Sequence, residues 1–489
     1  MAVLRKIFFY IFATLYVVFC PLIILYAMGY IYRPGMEKGV VKTGLIAINT
    51  TPPGAEIYMN KSRYSQLSPA IINELLPDEY SIGLELEGYN QWNAKVPVEA
   101  EKATVLDKII LVPLKWTAEV FLPGRIKGII PFPGSDFFLV QKGPYFRDFF
   151  LVGCEDGKYW PLIEKDSPFK EFKTSSYFFM EQSSSGILKG STTDGEKVLQ
   201  VEFSGEENEI RDITGLFPEK ARRVKWEAQS ENKLFIFQKG AITRVELDTG
   251  AVYPEYIREV KGYGLAGGKL YVINSENLFL ETDYENNGEK FLLEDKKLGE
   301  ELFGKTEYFD IEAVTGDTFL FLGENGELLS NRLPYRFADE GVMGIKRAED
   351  SSRVLIWKKD KIGILDFGEE KTKNTAFEKG PSLKWIHVKG NNIRQAFWVY
   401  KESHILFADQ NKVFLVEIEE FDGFKAKQMF SIKKGTSLYF SENTGKVFYI
   451  GSSTKEGLSC GAIVSSSARE AIPFPEIKEK DEEKQSDEK

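Results

Sequence analysis

Side chains able to transfer protons, attack as nucleophiles or ligate metals are sparse in this sequence. His387 and His404 are its only imidazoles. A catalytic histidine needs a nucleophile or an orienting partner, and neither has a motif around it. The two are expected on neighbouring strands of one repeating unit at most, and each reads as a strand or loop histidine with a satisfied hydrogen bond. The three cysteines, Cys20, Cys154 and Cys460, are not at ligand spacing. The glycine-rich run Gly262 to Gly268 falls between strands and opens no helix, so it reads as flexible turns and not as a phosphate cradle. No Ser-centred elbow and no His-Glu metal helix occurs. Asp and Glu number 73, too many to select a glycosidase pair from sequence. No catalytic, cofactor-binding or metal-ligating residue is therefore assigned, no cofactor is expected, and the ligand-binding residues stay unknown. The expected activity is binding, not catalysis.

The elements that carry these residues follow from composition. The chain has 489 residues and a net charge of −10, from 63 Lys and Arg against 73 Asp and Glu. That length implies several domains with ample core. The acidic balance argues against nucleic acid, whose phosphates call for a basic face. Hydrophobic residues at 43% and charged residues at 28% exclude both a disordered chain and a multi-span membrane protein. An aromatic share of 13% favours strands.

From Ile7 to Tyr32 no side chain is charged. A helix of this length crosses a hydrocarbon core of about 30 Å. Arg5 and Lys6 precede it, Tyr10, Tyr26, Tyr30 and Tyr32 suit its interfaces, and Pro21 is expected to kink it. The stretch is too long for a cleaved signal peptide, and Tyr26-Ala27-Met28-Gly29 is a poor cleavage site. Cys20 follows bulky Phe19, which argues against lipoprotein processing. Residues 1–6 are then a cytoplasmic stub, 7–32 an uncleaved signal anchor and 33–43 a linker. The bulk of the chain is expected outside a plasma membrane that it spans once. Arg33 and Lys38 beyond the span weaken the charge asymmetry behind this orientation.

Residues 44–114 alternate between apolar and polar side chains in short runs, such as Tyr80, Ile82, Leu84, Leu86 and Trp92, Ala94, Val96, Val98. Six or seven half-buried strands are enough for a small β-sandwich. The run Pro52-Pro53-Gly54-Ala55 with Ile57-Tyr58 resembles the signature of the PEGA domain. Ser68-Pro69, Leu76-Pro77-Asp78-Glu79-Tyr80, Gly88-Tyr89 and Trp92 extend the resemblance in order. The chain departs from the family pattern at Pro53 and Asp78, both at turns. The resemblance implies an extracytoplasmic β-sandwich that serves as an envelope-binding or spacer module, without catalysis. Gly54, Gly88 and Tyr89 read as turn and corner residues, with a ligand contact at Tyr89 or Trp92 as the other reading.

Residues 115–470 show no sustained helical period. Strand-turn-strand units recur instead, eight in all, the clearest around 224–250, 268–280, 353–367 and 396–416. Asp156-Gly157, Asp194-Gly195, Asn287-Gly288, Asn325-Gly326 and Asp422-Gly423 punctuate them as hairpin turns. Such repetition predicts a β-propeller of about seven blades, with six or eight as alternatives and a β-sandwich array as the rival architecture. The region resembles divergent WD-like or quinoprotein-like propellers at that level alone. Ser441 to Phe448 loosely resembles the sialidase Asp-box, with Asn443 in place of its acid, and there the box is a hairpin device remote from the active site. Phe137-Phe138, Phe149-Phe150 and Tyr177-Phe178-Phe179 read as blade core. Cys154 falls in the first unit and Cys460 in the last. Ring closure would make those units neighbours, leaving either a disulfide or two thiols. Residues 471–489 are expected to be a disordered acidic tail.

The fold class is thus all-β: one transmembrane helix, a PEGA-like β-sandwich and a β-propeller. The expected function is non-catalytic binding or scaffolding of cell-wall polymer, surface glycan or envelope protein. The alternatives are a propeller enzyme acting on polysaccharide and an envelope protein-assembly factor.

Overall fold

The computed structural model describes residues 2–27, 29–32, 40–132, 137–155, 157–180, 184–204, 207–227, 230, 232–349, 352–368, 381–418, 424–452 and 457–463. The acidic tail, Arg33, Lys38, Asp156 and the Asp422-Gly423 turn lie outside these. Two compact units result, Met1–Lys115 with the chain from Ile463, and Trp116–Ala462.

The first unit opens with a helix, Ala2–Ala27, which includes Pro21. Its apolar part is Ile7–Tyr26, 20 residues with mean hydropathy 2.5 and none of them buried. At 1.5 Å per residue that part measures about 30 Å, the thickness of a hydrocarbon core. The helix ends five residues before the expected anchor 7–32 does. Gly29 takes φ +78° and its N–H bonds the Tyr26 carbonyl, a common helix stop. Tyr30–Tyr32 is then extended and pairs antiparallel with Val40–Lys42, so Tyr30 and Tyr32 leave the helix.

A sandwich follows. One sheet has the order Ala70–Leu75, Gly44–Thr51, Ala103–Ile110, and the other Ser62–Leu67, Glu56–Met59, Asp78–Glu85, Trp92–Val98. Along the last strand Trp92, Ala94, Val96 and Val98 are buried while Asn93, Lys95 and Pro97 are exposed. Ile46, Ile48, Ile72 and Leu106 are also buried. Each such aliphatic side chain contributes about 1.5–3 kcal/mol on leaving water. Ser62–Leu67 is almost wholly exposed and has no apolar alternation, which is why sequence periodicity passes over it. Gly54 at φ +92° turns the chain where a side chain would be strained.

In the second unit the described residues form six four-stranded antiparallel sheets and one eight-stranded sheet made of two such antiparallel halves; counted by halves these are eight sheets, numbered here in chain order. Sheets one to seven span residues 128–161, 173–212, 223–257, 260–293, 309–338, 342–387 and 393–431. Sheet eight is composite: Tyr439–Ser441, Lys446–Ile450 and Gly457–Ala462 are completed by Glu119–Pro123 from the start of the unit. Seven apolar clusters each join one neighbouring pair of sheets, from eight–one round to six–seven. Phe397 against Phe440, and the Gln395 amide on both backbone groups of Leu438, join seven to eight. The circuit closes, and the unit is a β-propeller. Among the described residues the sheets number eight, one of the alternatives to seven, because each recurring unit builds its own sheet.

Sheets four and five are continuous. Val260–Ala266 pairs in parallel with Phe309–Thr315, with Gly262 opposite Phe309. A Cβ on Gly262 would lie 2.6 Å from the Phe309 carbonyl oxygen, and one on Gly264 2.4 Å from that of Ile311. Most of the glycine-rich run is therefore strand, and only Gly267-Gly268 forms a turn. Glycine is required here by backbone contact, which corrects the reading of the whole run as flexible turns.

Candidate functional site

First strands of adjacent sheets touch, so they line the inside of the ring. Their charges pair across it. Arg223 of sheet three reaches Asp310 of sheet five at 3.4 Å, passing sheet four. Lys225 lies 3.7 Å from the same carboxylate and donates to the Ile311 carbonyl. The Tyr308 hydroxyl donates to Asp310 at 3.2 Å. Lys346 of sheet six meets Glu442 beyond sheet seven at 2.5 Å. Arg394 donates to the carbonyls of Gln410 and Thr436. These groups are held by the ring itself.

Arg347 is different. It ends the first strand of sheet six and is exposed. Among the described residues no carboxylate lies within 4.0 Å of its guanidinium and no hydrogen bond holds it. It lines a cavity of about 210 Å³ with Ala266, Gly267 and Tyr271 of sheet four and Ala313, Val314, Thr315 and Gly316 of sheet five. The turns between first and second strands of both sheets form its rim. Tyr271 is 7% exposed, and its ring packs on Phe319 and Phe279 at 4.5 and 6.3 Å. Burial first, and then the Glu281 carboxylate, hold its phenol above the ordinary value, so it stays a donor. Its hydroxyl has no hydrogen-bond partner among the described residues.

The residues marked out in the sequence fall elsewhere. His387 ends the outer strand of sheet six, and His404 opens the second strand of sheet seven, so the two lie in different units and not in one. The His404 ring is 3% exposed and its Nδ1 shares a hydrogen bond with Ser403 Oγ at 2.9 Å. Burial lowers its pKa from 6.5 to about 3, which keeps it neutral. This hydroxyl–imidazole pair is sealed from substrate. It follows a turn in which Tyr400, Lys401 and Glu402 all have positive φ, a strain offset in part by Arg353 on the buried Glu402 carboxylate at 3.1 Å. Cys154 is buried between sheets eight and one, and Cys460 packs on the same cluster. Ring closure does bring them together, and both are present as thiols. Burial pushes the Cys460 thiol up to about 11, against the pull of Lys446. Phe138 and Phe149 are core as expected, while Tyr177 is 45% exposed. In the sandwich Trp92 is buried and Tyr89 bridges to Pro113, so both act in packing and corner. The Ser441–Phe448 segment is the first hairpin of sheet eight. Among the described residues no group of three His, Cys, Asp or Glu is arranged to hold a metal ion.

Arg244 is the most elaborate ionic contact. Its side chain is 6% exposed and bridges sheets three and four, bonding both Glu285 carboxylate oxygens at 2.8 and 2.9 Å and Glu246 at 2.9 Å. Tyr253 and Tyr256 flank the guanidinium at 5.5 Å. With its carboxylate partners supplied by sheets three and four, it is an inter-sheet latch.

Residues 43–110 match the PEGA domain family. The protein carries a PEGA domain. Its seven strands among the described residues are the sandwich above, and Gly54 and Gly88 sit at its turns with positive φ. No curated protein matches the chain in sequence. Similar solved structures are β-propellers. PorZ, a bacterial surface component of the type-IX secretion system of Porphyromonas gingivalis, is 11% identical with TM-score 0.38; the match covers 69% of this chain and 42% of PorZ. BamB from Moraxella catarrhalis is 10% identical with TM-score 0.37, over 70% of this chain and 99% of BamB. YCF48 from Cyanidioschyzon merolae is 14% identical with TM-score 0.36, over 60% and 95%. The PEGA-domain chain thus spans less than half the length of PorZ, and the case for its propeller rests on its own closed circuit of sheets.

Arg347 and Tyr271 carried no signal in the sequence. They belong to different repeating units and have no local motif, and only the turn between sheets brings them to one cavity.

Proposed function

We propose that this chain is a membrane-anchored, extracytoplasmic binding and scaffolding protein. In this reading the helix Ala2–Ala27 is an uncleaved anchor with its amino end cytoplasmic. The PEGA domain is a spacer or envelope-binding module, and the propeller carries the surface for a polymer, glycan or protein of the envelope. The observation that supports it most is the contrast inside the ring. Most charges there are paired with neighbouring sheets, whereas one rim holds a guanidinium without a carboxylate partner among the described residues and a phenol hydroxyl beside an open cavity. Polar groups left available at a cavity, here the Arg347 guanidinium and the Tyr271 hydroxyl, suit recognition. The reactive-looking pair Ser403–His404 supports binding over catalysis because its imidazole is buried and neutral.

The test uses residues 40–475, immobilised and exposed to isolated cell-wall, glycan and membrane-protein fractions of its native cell. Saturable retention of one fraction is the expected result. Retention of none, or steady release of new reducing ends from a polysaccharide, would overturn the reading.

A further inference from the structure

We infer that the cavity between sheets four, five and six seats a carboxylate presented by a peptide partner, with Arg347 as its charge partner and Tyr271 as a second donor. This rests on the binding reading above and names the chemistry of one partner group. Two acids on sheets four and five are already occupied: Asp317 beside Gly316 is held by Arg332 at 2.5 Å, and Glu281 by Lys269 at 2.8 Å and Lys290 at 3.6 Å. Among the described residues Arg347 has no carboxylate within 4.0 Å, so its guanidinium is free to pair with an incoming one. A guanidinium and a phenol O–H are both donors, and a carboxylate accepts from both at once.

The Tyr271 side chain is largely buried yet lines the cavity, and its hydroxyl has no partner among the described residues, so it is available to an incoming acceptor. The walls are Ala266, Ala313 and Val314, which suit the methylene stem of an acidic side chain or of a carboxyl-terminal residue. A sugar acid would press several hydroxyls against those walls without partners. The volume of about 210 Å³ holds one side chain, not a polymer segment. No atom lies within 4 Å of where a Cβ would stand on Gly267 or Gly316, so the rim admits a partner backbone.

The carboxylate could come from an internal acidic residue or from a chain terminus, and the probes separate these. Full-length protein in lipid nanodiscs is titrated by saturation-transfer NMR with N-acetyl-Ala-Glu-Ala-amide, with N-acetyl-Ala-Ala-Val bearing a free terminal carboxylate, with the amide analogue of each, and with glucuronate. At least one peptide acid should bind saturably, and its amide analogue at least about tenfold more weakly. Arg347→Gln should cost the same factor, and Tyr271→Phe about threefold or more. Arg347 is exposed and the Tyr271 ring is retained in Phe, so unchanged thermal unfolding of both variants serves as the folding control. Equal binding of acid and amide, unchanged binding to Arg347→Gln, preference for glucuronate, or no peptide binding each overturns the proposal. If no probe binds while an envelope fraction is still retained, the carboxylate site fails and the binding reading stands. If neither occurs, both fail.

Discussion

At the scale of single residues, burial converts reactive side-chain types into structural ones. His404 illustrates the sign. In the unfolded chain its imidazole titrates near 6.5, and in the fold only near 3. Between those values the unfolded chain holds a proton that the folded chain refuses, so the contribution is complete above pH 6.5 and is lost as pH falls. One such proton tilts unfolding free energy by at most about 1.4 kcal/mol per pH unit. Urea unfolding of residues 40–475 between pH 7 and pH 4 should therefore lose stability more steeply than the same chain with His404→Gln. Parallel slopes would show that His404 does not titrate this way. That the histidine lacks a catalytic motif was legible in the sequence, but its burial against Ser403 was not. Neither local spacing nor composition reports how many atoms from distant strands surround a ring.

At the scale of elements, alternation was a good guide where one strand face meets a core and a poor one elsewhere. Trp92–Val98 alternates cleanly, so the sequence marks it. Ser62–Leu67 forms because its neighbour Glu56–Met59 offers an edge, and its own side chains carry no pattern. The glycine-rich run shows the converse. Glycine signals turn and close approach alike, and only the parallel pairing of sheets four and five distinguishes them. The distinction predicts a ranking. Gly264→Ala, which drives a methyl into the Ile311 carbonyl, should destabilise the propeller by about 2–3 kcal/mol. Gly267→Ala, at φ +55° in open space, should cost about 1 kcal/mol. Thermal unfolding of the two variants checks this, and equal losses would return Gly264 to the class of turn residues.

At the scale of the whole molecule, the ring depends on a strand borrowed from the start of its unit. Glu119–Pro123 pairs with Gly457–Ala462, and Trp116 secures the junction by stacking on Phe430 at 4.6 Å and donating its indole N–H to the Tyr449 hydroxyl at 2.9 Å. Trp116→Ala should cost about 3 kcal/mol in urea unfolding, the lower end for a buried tryptophan because this residue is only partly buried. Deleting 116–123 should lower and broaden the transition further, since sheet eight loses its outer strand. A loss under about 1 kcal/mol for Trp116→Ala would mean that closure does not rest on this clasp. The sequence by itself determined the classes of element: an apolar helix long enough for a bilayer, a PEGA domain, and a train of short strands without local catalytic motifs. Those features are written in composition and short-range period, which any stretch of chain carries alone. Only the tertiary structure decided the helix end at Gly29, the eight sheets, and the meeting of Cys154 with Cys460 and of Tyr271 with Arg347. Each of these depends on which strands become neighbours, and that is set by packing between units distant in the chain.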